Sequence, residues 1–374
     1  MKSPLILISA GEPSGEMHAA RLAAELRART GAHLFGLGGP KMREAGVELL
    51  ADSSQVAVVG ISEVVRRLPS VWKVYRLLAD EAARRKPELA ILVDFPDFNL
   101  RLARRLHGQG VRIVYFISPQ VWAWRPQRVQ LMKRLVERVL CIFPFEEEFY
   151  RRAGVPVNFV GHPLVDAVRP QMTREQFAER FHLNAKEQIV ALLPGSRPGE
   201  IAHNLPGMLA ACHQLKRERE CQFVVAAAPG ITEKNLRDYA RSGPPLRIVE
   251  GATYAALAAA DCAIVSSGTA TVEAALLGTP MVVVYRVSAT TAFIARRMVR
   301  TPFFSMVNLI AGRRVVPELI QEAFTPEAVA QEARRLLGSA EERETMREDL
   351  AEVKRRLGEG GAIEKAAGMI AGML

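Results

Sequence analysis

A run of small residues, Ser266-Ser267-Gly268-Thr269-Ala270, separates the apolar segments Cys262–Val265 and Pro280–Tyr285, with Glu273 four positions beyond Thr269. The pattern predicts a buried strand, a tight turn and a helix starting near Thr269. The first N–H groups of such a helix lack internal partners and carry the positive end of its dipole, so Ser267, Gly268, Thr269 and Ala270 can hold a phosphate. One helical turn inside, the Glu273 carboxylate can accept hydrogen bonds from a ribose diol. A serine-capped helix packed on a sheet would read alike. Arg197, in Pro194-Gly-Ser-Arg-Pro-Gly-Glu directly after the apolar segment Gln188–Leu193, offers a planar fork for phosphate oxygens. Asn308, Glu318 and Gln321 are further candidates for base or ribose recognition.

The first half carries a different chemistry. Asp94-Phe-Pro-Asp-Phe-Asn follows the apolar segment Leu89–Val93, and Asp97 there can cap a helix or take a proton from an attacking hydroxyl. Ala10-Gly-Glu-Pro-Ser-Gly-Glu16 follows the first apolar segment and precedes a helix expected near Met17, where Ser14 can cap the helix or touch a polar ligand. Gly36-Leu-Gly-Gly-Pro-Lys-Met is a second glycine turn. In Ser118-Pro-Gln-Val-Trp-Ala-Trp-Arg the aromatics suit either a sugar- or acyl-binding surface or an inward-folded plug. Between these motifs Arg66, Arg67, Lys73 and Arg76 flank Val71, Trp72, Val74, Leu77 and Leu78, a pattern shared by membrane-surface helices and core-facing amphipathic ones.

The elements that must position these groups follow one plan. Short apolar segments alternate with stretches of helical period throughout, which predicts parallel sheets covered by helices: an α/β chain of two doubly wound, Rossmann-like domains facing across a cleft. The expected strands are Leu5–Ser9, His33–Leu37, Leu89–Val93, Arg112–Ile117 and Arg138–Ile142, then Gln188–Leu193, Gln222–Ala227, Leu246–Val249, Cys262–Val265 and Pro280–Tyr285. With 374 residues, two domains are the natural division. The expected bounds are 1–165, 166–345 and a helical tail, 346–374, that could pack back on the first domain. Lys and Arg exceed Asp and Glu by 24 to 16 in residues 1–165 but only by 26 to 24 afterwards, so the first domain should meet an acidic partner. Cys141, Cys212, Cys221 and Cys262 form no Cys-x-x-Cys pair and sit in apolar surroundings, which suits core residues better than a disulfide framework or zinc site. No apolar run reaches the roughly 18 residues that span a bilayer, and a cytoplasmic location is expected. The start reads as a strand, not a signal peptide.

Taken in order, the turns at 10–16 and 36–42, the Asp-Phe-Pro-Asp-Phe-Asn segment, the tryptophan loop, Pro144-Phe-Glu with Gly161-His-Pro, Pro-Gly-Ser-Arg, Ser-Ser-Gly-Thr-Ala-Thr-Val-Glu and Asn308-Leu-Ile-Ala-Gly resemble the lipid-A-disaccharide synthases. The resemblance implies a GT-B glycosyltransferase. It also implies inverting transfer of 2,3-diacylglucosamine from its UDP derivative to 2,3-diacylglucosamine 1-phosphate, and since no His/Asp/Glu/Cys cluster shows metal-ligand spacing, neither metal nor cofactor is expected. Asp97 matches the family's candidate base, and Arg197, Glu273 and Asn308 match its donor-side residues. Glu16, a further candidate substrate contact, stands where the family commonly has Asp. The acylated substrates imply work at the anionic inner face of the inner membrane. A nucleotide-sugar epimerase of the same fold is the rival enzyme. The sequence pI of about 9.7 also admits a nucleic-acid-binding protein, but no recognised zinc, RRM or KH signature supports one, and no nucleic-acid partner is expected.

Overall fold

The computed structural model describes residues 3–56, 61–124, 127–241, 243–289, 291–293 and 301–374, the side chains of 13, 61–67 and 124 excepted. The chain forms two compact units, Met1–Pro163 with Gly358–Leu374, and Leu164–Leu357. The helix Ala340–Arg356 stays with the second unit, packed on the helices Thr269–Leu276 and Met306–Ala311. The segment that returns to the first unit is therefore shorter than the expected 346–374.

The first unit holds strands β1 (Leu5–Ala10), β2 (His33–Gly38), β3 (Glu48–Asp52), β4 (Leu89–Val93), β5 (Arg112–Phe116), β6 (Arg138–Cys141) and β7 (Val157–Phe159), in the order β3-β2-β1-β4-β5-β6-β7. The second holds β8 (Gln188–Leu193), β9 (Cys221–Ala227), β10 (Leu246–Glu250), β11 (Cys262–Ser266), β12 (Met281–Tyr285) and β13 (Glu318–Ile320), in the order β10-β9-β8-β11-β12-β13. Every pairing is parallel. Parallel strands are covered on both faces, which is why the central ones are continuous apolar runs: all of β4 and β11 is buried.

Three strands were not expected from the sequence: β3, β7 and β13. All three are edge strands. Two are only three residues long, and none is buried along its length, so no apolar run announces them. The first helix also starts earlier than expected, at Pro13, because proline at the first helical position has its φ already set and no N–H to satisfy. The four cysteines are free and buried.

In each sheet the order reverses once, between β1 and β4 in the first and between β8 and β11 in the second. Loops leaving adjacent strands in opposite directions open a crevice at such a reversal, and ligands of open α/β sheets bind there.

Candidate active site

At the first reversal, Asp94 (φ 46°) and Phe95 (φ 50°) are both left-handed as the chain leaves β4 for the helix Pro96–Gly108. A non-glycine residue in this conformation costs roughly 1–3 kcal/mol, so the surroundings must hold it. The buried Asn99 does so. Its Nδ2 donates to the carbonyls of Val93 (3.1 Å) and Asp94 (2.8 Å), and its Oδ1 accepts from Ser9 Oγ on β1 at 2.8 Å. Tyr115 Oη adds a bond to the Asp94 carbonyl at 2.7 Å. Gly11 must lack a side chain here, because a Cβ would lie 2.3 Å from the Phe95 ring. The turn so held presents Asp97 in the first turn of the helix, its side chain 73% exposed, with Arg128 Nη2 donating to Oδ1 at 2.5 Å. An exposed carboxylate on a fixed turn can accept a proton from a hydroxyl brought to it.

Two other candidates in this unit behave differently. Glu16, expected to contact substrate, is buried, and its Oε1 accepts from the Lys41 N–H at 2.9 Å, capping the helix Pro40–Glu44. A Cβ on Gly39 would fall 2.3 Å from Glu16 Oε2, so the glycine makes room for this carboxylate. Ser14 lies exposed inside the first helix turn; Glu12, not Ser14, occupies the cap position.

At the second reversal the turn Ser267–Ala270 follows β11, and Pro194–Arg197 follows the neighbouring β8. The Ser267 N–H donates to the Val284 carbonyl (3.0 Å) and its hydroxyl to the Phe304 carbonyl (3.1 Å). The helix-start N–H groups left to an anion are therefore those of Gly268, Thr269 and Ala270. Gly268 has φ 152°, and the space where its side chain would stand is open. Arg197 precedes the helix Pro198–Glu218, its side chain 59% exposed and 3.9 Å from Glu200 Oε1. Buried Asn204 joins the two turns to β12: Nδ2 donates to Ser266 Oγ (3.2 Å) and the Pro194 carbonyl (3.4 Å), while Oδ1 accepts from Arg286 N–H (2.8 Å). Glu273 sits one turn into the helix Thr269–Leu276. Tyr254 Oη donates to its Oε1 at 3.2 Å, and burial raises this carboxyl to about 7.

Asn308, expected to read base or ribose, is fully buried and bonded on every side. Its Nδ2 donates to the Val316 carbonyl and Glu318 Oε1, and its Oδ1 accepts from Val315 N–H and Val316 N–H. Two donors and two lone pairs exhaust an amide side chain. Glu318 in turn accepts from the N–H groups of Phe304 (3.0 Å) and Ser305 (2.9 Å). Asn308 and Glu318 thus hold the loop whose Phe304 carbonyl meets Ser267, and support the Ser267–Ala270 turn from behind. Gln321, left-handed at φ 55°, follows β13, and its carbonyl accepts from Arg286 Nη2 at 3.3 Å.

Residues 6–371 match the family described as lipid-A-disaccharide synthetase. The chain belongs to that family. The lipid-A-disaccharide synthase of Myxococcus xanthus is 49% identical over 367 residues, covering 97% of this chain and 96% of the relative. That of Geobacter sulfurreducens is 44% identical over 372 residues, covering 99% and 97%. Among solved structures, UDP-GlcNAc 2-epimerase from Neisseria meningitidis, bound to UDP-GlcNAc, has a TM-score of 0.66 at 13% identity, covering 99% of each chain. MurG from Acinetobacter baumannii has 0.62 at 16%, again covering 99% of each. These two share the two-domain GT-B fold. The family match makes the protein a glycosyltransferase and disfavours the epimerase alternative.

Around the motifs of the first unit, the sequence left other residues unread. Glu146 is buried, and its Oε1 accepts from Ser118 Oγ (3.0 Å) and Trp122 Nε1 (3.1 Å) while Oε2 accepts from Phe143 N–H (3.2 Å). Trp122 also meets Phe145 edge-on, so the tryptophan loop is at least in part the inward-folded plug. Desolvation raises Glu146 to about 7 and lowers the buried His18 and His162 to about 4 and 3. The Pro-Phe-Glu motif was the only signal for Glu146, and its spacing to Ser118 and Trp122 is set by the sheet, not the sequence.

Helix Ile61–Arg85 exposes Leu68 (49%), Trp72 (53%) and Leu77 (39%), while Val74 and Leu78 from the same apolar set turn into the core. Trp72 stacks on Tyr75 with centroids 5.0 Å apart, and Arg76 lies over the Trp72 ring at 5.3 Å. Lys73 is exposed beside them. The side chains of Arg66 and Arg67 lie outside the described residues.

Proposed function

We propose that the enzyme joins two acylated glucosamines, taking 2,3-diacylglucosamine from UDP-2,3-diacylglucosamine and passing it to 2,3-diacylglucosamine 1-phosphate. The products are the β-1,6-linked disaccharide 1-phosphate and UDP. The observation that carries the donor side is the open turn Gly268–Ala270 at the β8/β11 reversal, with Arg197 on the adjacent turn. In this reading the acceptor 6-hydroxyl oxygen bonds to the anomeric carbon as the bond to the UDP phosphate breaks. The hydroxyl proton passes to Asp97, and the configuration inverts in one displacement. Negative charge gathers on the departing diphosphate, where helix N–H groups and a guanidinium stabilise it directly. Glu273 takes the ribose, while Asn308 and Glu318 keep the Ser267 turn in place.

Both lipid substrates reside in membrane, and the exposed Trp72, Leu77 and Leu68 amid Lys73 and Arg76 suit insertion at an anionic surface on the cytoplasmic side. Among the described residues no helix is long and apolar enough to cross a membrane.

UDP release measured with each lipid alone and with both together tests the reading. UDP is expected only when both are present. A new sugar isomer formed from the donor alone would instead mark an epimerase.

A further inference from the structure

We infer that Tyr254 is a positioning residue for nucleotide recognition, holding the Glu273 carboxylate so that it distinguishes a ribose from a deoxyribose. The inference rests on the reading of Gly268–Ala270 and Glu273 as the nucleotide site.

Tyr254 is the second residue of the helix Thr253–Ala259, which packs against the helix Thr269–Leu276 that carries Glu273. Its hydroxyl donates to Glu273 Oε1 at 3.2 Å, and among the described residues the carboxylate has no other partner. A glutamate side chain with both oxygens unbound samples many orientations, and fixing it costs conformational entropy at the moment of binding. Tying one oxygen to a ring that is itself half-buried removes most of that cost and aims the other. Burial lifts the Tyr254 hydroxyl above its usual range, so it keeps its proton and remains the donor.

The chemistry of the neighbourhood narrows what Oε2 can meet. One turn away, the helix start suits phosphate. Above pH 7, where the Glu273 carboxyl is mostly ionised, a second anion beside it would be repelled, so the ligand group that reaches it must be a hydrogen-bond donor. In a nucleoside diphosphate, the donors adjoining the phosphates are the ribose hydroxyls. A site built to bond a hydroxyl rejects the analogue that lacks it, because its own buried polar group is then left unpaired.

The test is calorimetric binding of UDP, 2′-deoxy-UDP and 3′-deoxy-UDP to the full chain, as wild type, Tyr254→Phe and Glu273→Gln, at about pH 8.5, where the Glu273 carboxyl is ionised and the Tyr254 hydroxyl is not. A hydrogen bond to a charged group implies a wild-type preference for UDP over at least one deoxy analogue of about tenfold or more. Tyr254→Phe keeps the ring and is expected to weaken UDP by about 3- to 30-fold while changing that analogue by less than about twofold, so the preference shrinks. The deoxy analogue is thereby an internal control for folding. Equal weakening of all three ligands, or none, overturns the role given to Tyr254. Wild-type binding that ignores both ribose hydroxyls and is unmoved by Glu273→Gln overturns the ribose placement itself, and the inference with it.

Discussion

The Asp97 carboxylate stands in solvent on a turn whose backbone is bonded by Asn99 and Tyr115, so its side chain can change while the turn remains. Asp97→Asn is expected to lower kcat by roughly 100- to 10,000-fold, the usual cost of losing a general base, with UDP affinity and melting temperature close to native. Steady-state kinetics beside calorimetry check this, and near-native turnover would reduce Asp97 to a charge favouring its helix. The Arg197 side chain is likewise mostly exposed, with Glu200 Oε1 3.9 Å away. Arg197→Ala should weaken UDP by about tenfold or more through the lost charge-assisted bond, with little change in stability. Unaltered UDP affinity would place the diphosphate elsewhere. At this scale the sequence showed residue types but not their partners. The positions of Asp97, Arg197 and Glu273 beyond strand ends were legible because the strands before them are continuous apolar runs. Asn308 and Glu16 looked like ligand contacts because nothing local reveals that Val315, Val316 and Lys41 absorb their bonding capacity.

Elements explain what spacing could not. The helix Ile61–Arg85 divides its apolar residues between two destinations, with Val74 and Leu78 in the core and Leu68, Trp72 and Leu77 outside. Vesicles containing anionic lipid should bind the protein less as salt rises, and less again after Trp72→Ser with Leu77→Ser, since cations near such a surface contribute about 1 kcal/mol each. Sedimentation indifferent to salt and to both substitutions would remove this helix from the membrane. In the helix Pro144–Arg152, Glu146 joins the loop at Ser118 and Trp122 to the sheet end. Burial raises it to about 7 in the folded chain, against about 4.5 unfolded. Between those values the folded state keeps a proton that the unfolded state has released. The stability this group contributes is thus present at pH 4 and lost as pH climbs towards 7, amounting to about 3 kcal/mol as an order of magnitude. Urea midpoints of wild type should fall relative to Glu146→Gln from pH 5 to pH 8, and parallel curves would mean that the carboxyl is ionised throughout. Glu273 acts in the same direction, while neutral His18 and His162 act oppositely below about pH 6.5, so only the wild-type–variant difference isolates Glu146. The central strands were readable because burial on two faces demands apolar runs, whereas edge strands such as β7 need only a neighbour and carry no such mark.

The whole chain leaves its first unit at Pro163 and returns to it at Gly358. The returning helix Ala362–Ala371 packs on the first helix, Pro13–Thr30, burying Ile363 and Ile370 with Ala362, Ala366 and Ala367, and Arg112 Nη1 donates to the Met373 carbonyl at 2.5 Å. Deleting 358–374 should destabilise the first unit by roughly 3–6 kcal/mol from the two isoleucines alone. Scanning calorimetry should show one transition lowered and the other unmoved; two unchanged transitions would make this helix dispensable. The alanine-rich, charged tail announced helices in the sequence, but not that helix Ala340–Arg356 and helix Ala362–Ala371 belong to different units, because both offer the same kind of apolar stripe. This return has a meaning for the protein's birth on the ribosome. Domains ordinarily fold in the order they emerge, at about 5–20 residues per second. Here the earliest-made unit must wait, on the order of ten seconds or more, while all of the second is translated. Its returning helix, Ala362–Ala371, comes out only after the whole of the second. The nascent first unit spends that interval with the apolar face of its opening helix uncovered, and that is when a chaperone would find it.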